Sequence, residues 1–96
     1  MTHQSAYLVL SDLTLSAIQA EATRAHLKHG PKGQSMLCSI SDDRRLAIAA
    51  EEVGEVARWL NELVLGSEPD PDEFEIELIQ CAAMFASWVE AKGQGL

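Results

Sequence analysis

The stretch LAIAAEEVGEVARWLNE, Leu46 to Glu62, combines a helix's apolar period with an unusual load of acid. Leu46, Ala49, Ala50, Val53, Val56, Ala57, Leu60 and, just beyond, Val64 recur at steps of three and four, which predicts one buried helical face. Glu52 lies about 100° around the axis from Val53, and Glu55 follows Glu52 by three residues, so both carboxylates project from the edge of that face. Like charges at this spacing repel by about 0.2–0.5 kcal/mol. Either solvent screens them or a divalent cation joins them.

Working outward, Ser41-Asp42-Asp43 is a helix start, a capping hydroxyl followed by acids where the helix dipole favours them. The helix then runs to about Leu65, where Gly66-Ser67 ends it. Upstream, Ser11 and Asp12 open a helix to about Lys28, with Leu15, Ile18, Ala22 and Ala25 along one face. Gly30-Pro31 stops it. The connector GPKGQSMLCSI, Gly30 to Ile40, has two readings. Its glycines, Lys32 and the flanking His29 suit contact with phosphate, and they equally suit a helix end followed by a surface loop. No Walker-type or dinucleotide-type glycine pattern is present. Downstream, Glu68 to Asp72 connects to a third helix with Pro71 in its first turn and Gly93 at its end. Phe74, Leu78, Cys81, Ala82, Phe85 and Trp88 or Val89 make its apolar stripe, while Glu77, Gln80 and Met84 line up at helical steps beside it.

These elements predict a single all-α domain over residues 1–96, with an irregular lead-in at 1–11 and a tail at 93–96. Ninety-six residues leave no room for a second core. The apolar arcs are wider than three helices of one chain need, with Ile76, Ile79, Met84 and Val89 off the main stripe, so another chain is expected to cover them. No basic leader precedes an apolar run and nothing approaches a membrane span, which gives a cytoplasmic expectation with no membrane partner. Cys38 and Cys81 lack metal-ligand spacing and read as two free thiols, with a disulfide as the alternative.

The formal net charge of −8 argues against a nucleic acid polymer as partner, since that needs basic surface to displace counterions. The charge is also segregated. Arg24, Lys28, Lys32, Arg44 and Arg45 crowd one part of the chain, whereas Arg58 is the lone basic residue between Glu51 and Glu90. Such polarity suits a small polyanion held beside a cation-loaded acidic cluster, or simply an acidic, soluble surface.

Glu52-x-x-Glu55 on one helix and Glu77-x-x-Gln80 on the next form the chemical constellation. With the runs LAIAAEEVGEVARWLNE and ELIQCAAMFASWVEA, it resembles the MazG-like all-α nucleoside triphosphate pyrophosphohydrolases, whose signature is E-x-x-E, a connector, then E-x-x-D. The superfamily includes dimeric dUTPases and phosphoribosyl-ATP pyrophosphohydrolase, and the likeness covers roughly Leu46 to Ala91. It implies a four-helix-bundle core formed through homo-oligomerisation, as a homodimer or homotetramer. It further implies cleavage of a nucleoside triphosphate between the α and β phosphates, giving a monophosphate and pyrophosphate. Glu52, Glu55 and Glu77 would be catalytic and would bind Mg²⁺ or Mn²⁺, with Gln80 a weak fourth ligand. His29 and Lys32 would contact phosphate. Trp59, one turn beyond Glu55, is either a base-stacking ring or a core residue. Gln80 departs from the signature: an amide offers one oxygen but removes a charge and cannot act as a base. The alternatives are therefore a catalytically weakened nucleotide-binding or regulatory module, or a purely structural one.

Overall fold

The computed structural model describes residues 9–96. Three long helices make up the fold: α1 (Asp12–His29), α2 (Asp42–Val64) and α3 (Pro71–Gly93), with a 3₁₀ turn at Gly30–Lys32. No strand occurs among the described residues. The lead-in at 1–11 lies mostly outside them.

Local chemistry accounts for the boundaries. Ser11 Oγ accepts the Thr14 N–H at 3.2 Å, Ser41 Oγ accepts that of Arg44 at 3.1 Å, and Asp70 Oδ1 accepts that of Asp72 at 2.9 Å. Each satisfies a backbone donor that a helix start leaves without an internal partner. Two helices end through a glycine in the left-handed region. Gly66 at φ +90° lets the Ser67 N–H reach Glu62 O, and Gly95 at φ +78° lets the Leu96 N–H reach Ala91 O. The tail expected to be irregular therefore leaves α3 through an ordered turn. At α1 the chain does not break at Gly30-Pro31; it tightens into the 3₁₀ turn.

Helix α3 is the middle element, with α1 and α2 packed on either side of it and not on each other. The α2–α3 turn is short, so the two run antiparallel, while Leu13 to Ala25 of α1 runs alongside Glu75 to Met84 of α3 in the same direction. One layer of helices results, 45 × 41 × 20 Å. Its radius of gyration, 15.4 Å, exceeds the roughly 12.5 Å of a compact domain of this length. The core is small. Ala25, Met36, Ala49, Ala83 and Met84 are buried, with Ile18, Ala22, Ile48 and Trp88 packed against them. Alanines at the contacts let the helix axes approach closely.

The face that α2 turns toward α3 is not its most apolar one. Arg45, Ile48, Ala49, Glu52, Glu55, Val56 and Trp59 are buried or half-buried, whereas Leu46, Val53, Leu60 and Val64 of the expected stripe are exposed, Val64 by 82%. The helix is rotated so that its glutamates, rather than its leucines, meet α3. Similarly, Leu78, Phe85 and Val89 of α3 stay exposed while Ala83, Met84, Ser87 and Ala91 are buried. Both choices leave large side chains in the open on a thin slab.

Candidate functional site

Because α2 presents Glu52 and α3 presents Glu77 and Gln80, the packing of these helices brings the three side chains together. The hydrogen-bond network orients the Gln80 amide so that Nε2 donates to Glu52 Oε2 at 3.3 Å and to Glu77 Oε2 at 3.0 Å. The amide thus bridges two carboxylates from facing helices. A glutamine can do this because its NH₂ offers two donors; an ionised aspartate at position 80 would offer none.

The pair is electrostatically under-compensated. Burial pushes the Glu52 carboxyl above its usual range, and the charges of Glu77, Glu21, Glu55 and Glu51 push it further. Glu77 is likewise raised, by burial first and then by Glu55 and Glu73, with Arg58 opposing. The same field reaches the Cys81 thiol, which burial, Glu52 and Glu77 all raise. Glu55 points elsewhere: Arg58 Nη2 donates to its Oε2 at 2.6 Å, and Arg58 also reaches Glu62 at 3.4 Å.

A trough of about 320 Å³ opens beside this cluster, with α1 and α2 as walls and α3 as floor. Glu21, Arg24, Ala25 and His29 line it from α1; Arg44, Ala47, Ile48, Glu51 and Glu52 line it from α2. Gln80 and Met84 form the floor, and Gln34 of the connector closes one end. The connector is ordered by Ser35, whose buried hydroxyl is hydrogen-bonded to His26 Nδ1 at 2.6 Å and accepts the Leu37 N–H at 3.3 Å. A neighbouring void of about 30 Å³ under Ser35 is the size of a single water.

Of the residues expected at the site, Glu52, Glu77 and Gln80 meet, and His29 lines the trough. Lys32 is exposed on the 3₁₀ turn and does not line it. Trp59 stacks on Phe74 with ring centroids 4.5 Å apart and donates its indole N–H to Asp70 O at 3.1 Å, which ties it to the α2–α3 turn. Arg45, counted with the basic segment from the sequence, is fully buried and belongs to the scaffold. Sequence reasoning did not single out Glu21, which falls on the α1 face defined by Ile18, Ala22 and Ala25. Arg24 Nε donates to Glu21 Oε2 at 2.7 Å, holding that carboxyl below its usual range. An acid on the apolar side of an amphipathic helix is the signal that marks it.

Searches against protein-family models, characterised proteins and solved structures find no match to this chain.

Chemically, the cluster offers hard oxygen donors, the type that Mg²⁺ and Mn²⁺ take. Among the described residues, no three His, Cys, Asp or Glu side chains stand close enough to hold a metal ion as they are placed. Two glutamate carboxylates are in place, and the Gln80 amide, expected as a weak fourth ligand, turns its NH₂ rather than its oxygen toward them. A third carboxylate, Glu55, sits one turn from Glu52 in an exposed ion pair, which is worth about 0.2–1 kcal/mol and is readily exchanged. Burial first, and then the negative charge of neighbouring glutamates, raises Glu52 and Glu77, and a divalent cation would offset that charge. The donor chemistry fits such an ion.

Proposed function

We propose that the chain is a metal-dependent nucleoside triphosphate pyrophosphohydrolase, cleaving between the α and β phosphates to leave a monophosphate and pyrophosphate. The observation that carries this reading is the meeting of Glu52, Glu77 and Gln80 across α2 and α3, at the E-x-x-E and E-x-x-Q positions, beside a trough that also holds arginines. Glu52 and Glu77, together with Glu55 if freed from Arg58, would hold Mg²⁺ or Mn²⁺. When bound, the ion supplies positive charge that offsets the phosphates and polarises them. Gln80 fixes the spacing of the Glu52 and Glu77 carboxylates through its two amide hydrogens. His29 contacts phosphate from the α1 wall. The acidic lining repels a bare triphosphate, so binding of nucleotide depends on the ion.

The exposed leucines and valines of α2 and the open face of α3 support homo-oligomerisation, in which a second copy covers them and completes a four-helix core. A cytoplasmic enzyme acting on free nucleotides is the corresponding cellular reading.

One observation favours a second reading. Gln80 already satisfies both carboxylates as a donor, which stabilises the pair without a cation and suits a nucleotide-binding module with weakened catalysis. Pyrophosphate release from a panel of ribo- and deoxynucleoside triphosphates with Mg²⁺ or Mn²⁺, for wild type and Gln80→Asp, separates the two. Turnover in the wild type supports the enzyme. Nucleotide binding without turnover, with turnover appearing in Gln80→Asp, supports the weakened module. Loss of both binding and turnover overturns the proposal.

A further inference from the structure

The trough beside the glutamates is bipolar along its length. Glu21, Glu51, Glu52 and Gln80 occupy one end. Arg44 lies eight residues before Glu52 on the same helix, about 12 Å away along the axis. His29, at the last residue of α1, and Gln34, bonded through its N–H to His29 O at 3.1 Å, belong to the Arg44 end. Arg24 lies between, bound to Glu21 and within range of the Glu52 charge. The arginine ion pairs among the described residues involve Arg24, Arg45 and Arg58, so Arg44 is without one there. It lines a cavity, carries a planar fork suited to phosphate oxygens, and makes no competing ion pair among the described residues.

From this arrangement we infer the direction in which a phosphorylated ligand lies: its terminal phosphates extend along α2 to Arg44, and its nucleoside end does not enter the His29–Gln34 side of the trough. Arg24 is a second, latent grip on the same phosphates, masked by Glu21 until an anion competes for it. The inference rests on the proposed hydrolytic reading for the identity of the ligand and goes beyond it in assigning Arg44, Arg24 and Glu21, in place of Lys32, to the polyphosphate. A purely electrostatic effect of the Glu21 charge makes a different prediction, because the gain from Glu21→Gln then persists when Arg24 is also replaced by Gln, whereas a grip by Arg24 requires the gain to vanish there.

The test is calorimetric titration of the full chain, with Mg²⁺ present, using inorganic pyrophosphate and adenosine monophosphate as separate probes. Arg44→Gln weakens pyrophosphate about tenfold or more, the size of one charge-assisted contact, and leaves the monophosphate within about twofold. Glu21→Gln releases the Arg24 guanidinium and tightens pyrophosphate about threefold, a shift of about 0.65 kcal/mol. Arg44 is exposed and Glu21 is half-buried, and circular dichroism confirms the fold of each variant. Equal weakening of both probes in Arg44→Gln, unchanged pyrophosphate affinity there, or weaker pyrophosphate binding in Glu21→Gln overturns the inference. Pyrophosphate bound through Arg44 by a chain that hydrolyses no triphosphate leaves the inference standing and removes the hydrolytic reading. Triphosphate turnover with pyrophosphate affinity insensitive to Arg44 does the reverse.

Discussion

The interface between α2 and α3 carries two charged clusters, two helical turns apart on α2 and built in opposite ways. At one, the fully buried Arg45 guanidinium donates to Met36 O at 3.0 Å, Cys38 O at 2.8 Å, Leu96 O at 3.3 Å and Asp42 Oδ1 at 3.0 Å. Asp42 in turn accepts Trp88 Nε1 at 2.9 Å and Lys92 Nζ at 3.1 Å, and these bonds with that of Arg45 hold its carboxyl below the usual range. Every charge there has a partner of opposite sign or a full set of acceptors. At the other, Glu52 and Glu77 face each other with a neutral amide between them, and both carboxyls are raised. The first cluster ties the connector, the α2 start and the chain's last residue into one unit. The second stores repulsion at the edge of an open trough. The buried arginine with its acceptors holds the fold together, whereas the two half-buried carboxylates, hydrogen-bonded to Gln80 but with no ion pair among the described residues, are the better candidate for a ligand.

The sharpest way to break this contrast is at Arg45. Arg45→Ala leaves three carbonyls without donors and Asp42 short of a partner, and is expected to destabilise the fold by about 3–5 kcal/mol in urea denaturation. Arg45→Lys does not rescue it, since one ammonium cannot serve three carbonyls and a carboxylate in fork geometry. A loss below about 1 kcal/mol would show that the cluster is not what closes this end. At the other cluster the effect moves from stability to activity. Glu52→Ala is expected to abolish metal-dependent pyrophosphate release by about a hundredfold or more, equivalent to about 2.7 kcal/mol, while the folded chain persists. If activity and fold fell together, Glu52 would belong with Arg45.

The pH dependence should also differ between the clusters. Glu52 and Glu77 have raised folded values, so the stability they confer is present at low pH and lost as pH rises through those values. Asp42 has a lowered value, so its contribution is present above the ordinary aspartate value near 3.9 and lost as pH falls through the lowered one. With chelator present, the melting temperature is therefore expected to rise on acidification from pH 7 toward about pH 5 and to fall below about pH 4. A monotonic fall from pH 7 downward would contradict the under-compensated state of the glutamates. The smallest effect is Glu52→Gln, which removes one half-buried charge. A screened repulsion of roughly 0.3 kcal/mol corresponds to a melting temperature about 2 °C higher at pH 7, and the gain should vanish as pH falls through the raised Glu52 value.

Much of this structure was legible in advance, and the division follows physical scale. Helix limits depend on neighbours within a turn, so Ser11, Ser41, Pro71 and Gly66 located them closely. The meeting of Glu52 with Glu77 and Gln80 was expected from the resemblance together with a short connector that makes α2 and α3 antiparallel, whereas Glu55, expected with them, pairs with Arg58 instead. The rotation of α2 was not legible. Its apolar period marks a face to be buried without saying by what, and in this chain Ala49 and Ile48 rather than Leu46 and Val53 meet α3. Arg45 reads as one more basic residue until the connector wraps around it. Glu21 carries a local signal, an acid on the apolar side of α1, but what it meets depends on α1 packing parallel to α3, which no local spacing encodes.

The central claim is that the Glu52–Glu77–Gln80 cluster and its trough direct hydrolysis between the α and β phosphates. The most direct measurement is ³¹P NMR of nucleoside triphosphates incubated with the wild-type chain and Mg²⁺, compared with Glu52→Ala and with chelator. The account predicts equal amounts of monophosphate and pyrophosphate from the wild type, and intact triphosphate in both controls. Diphosphate with inorganic phosphate, or product formation that survives Glu52→Ala, would contradict it.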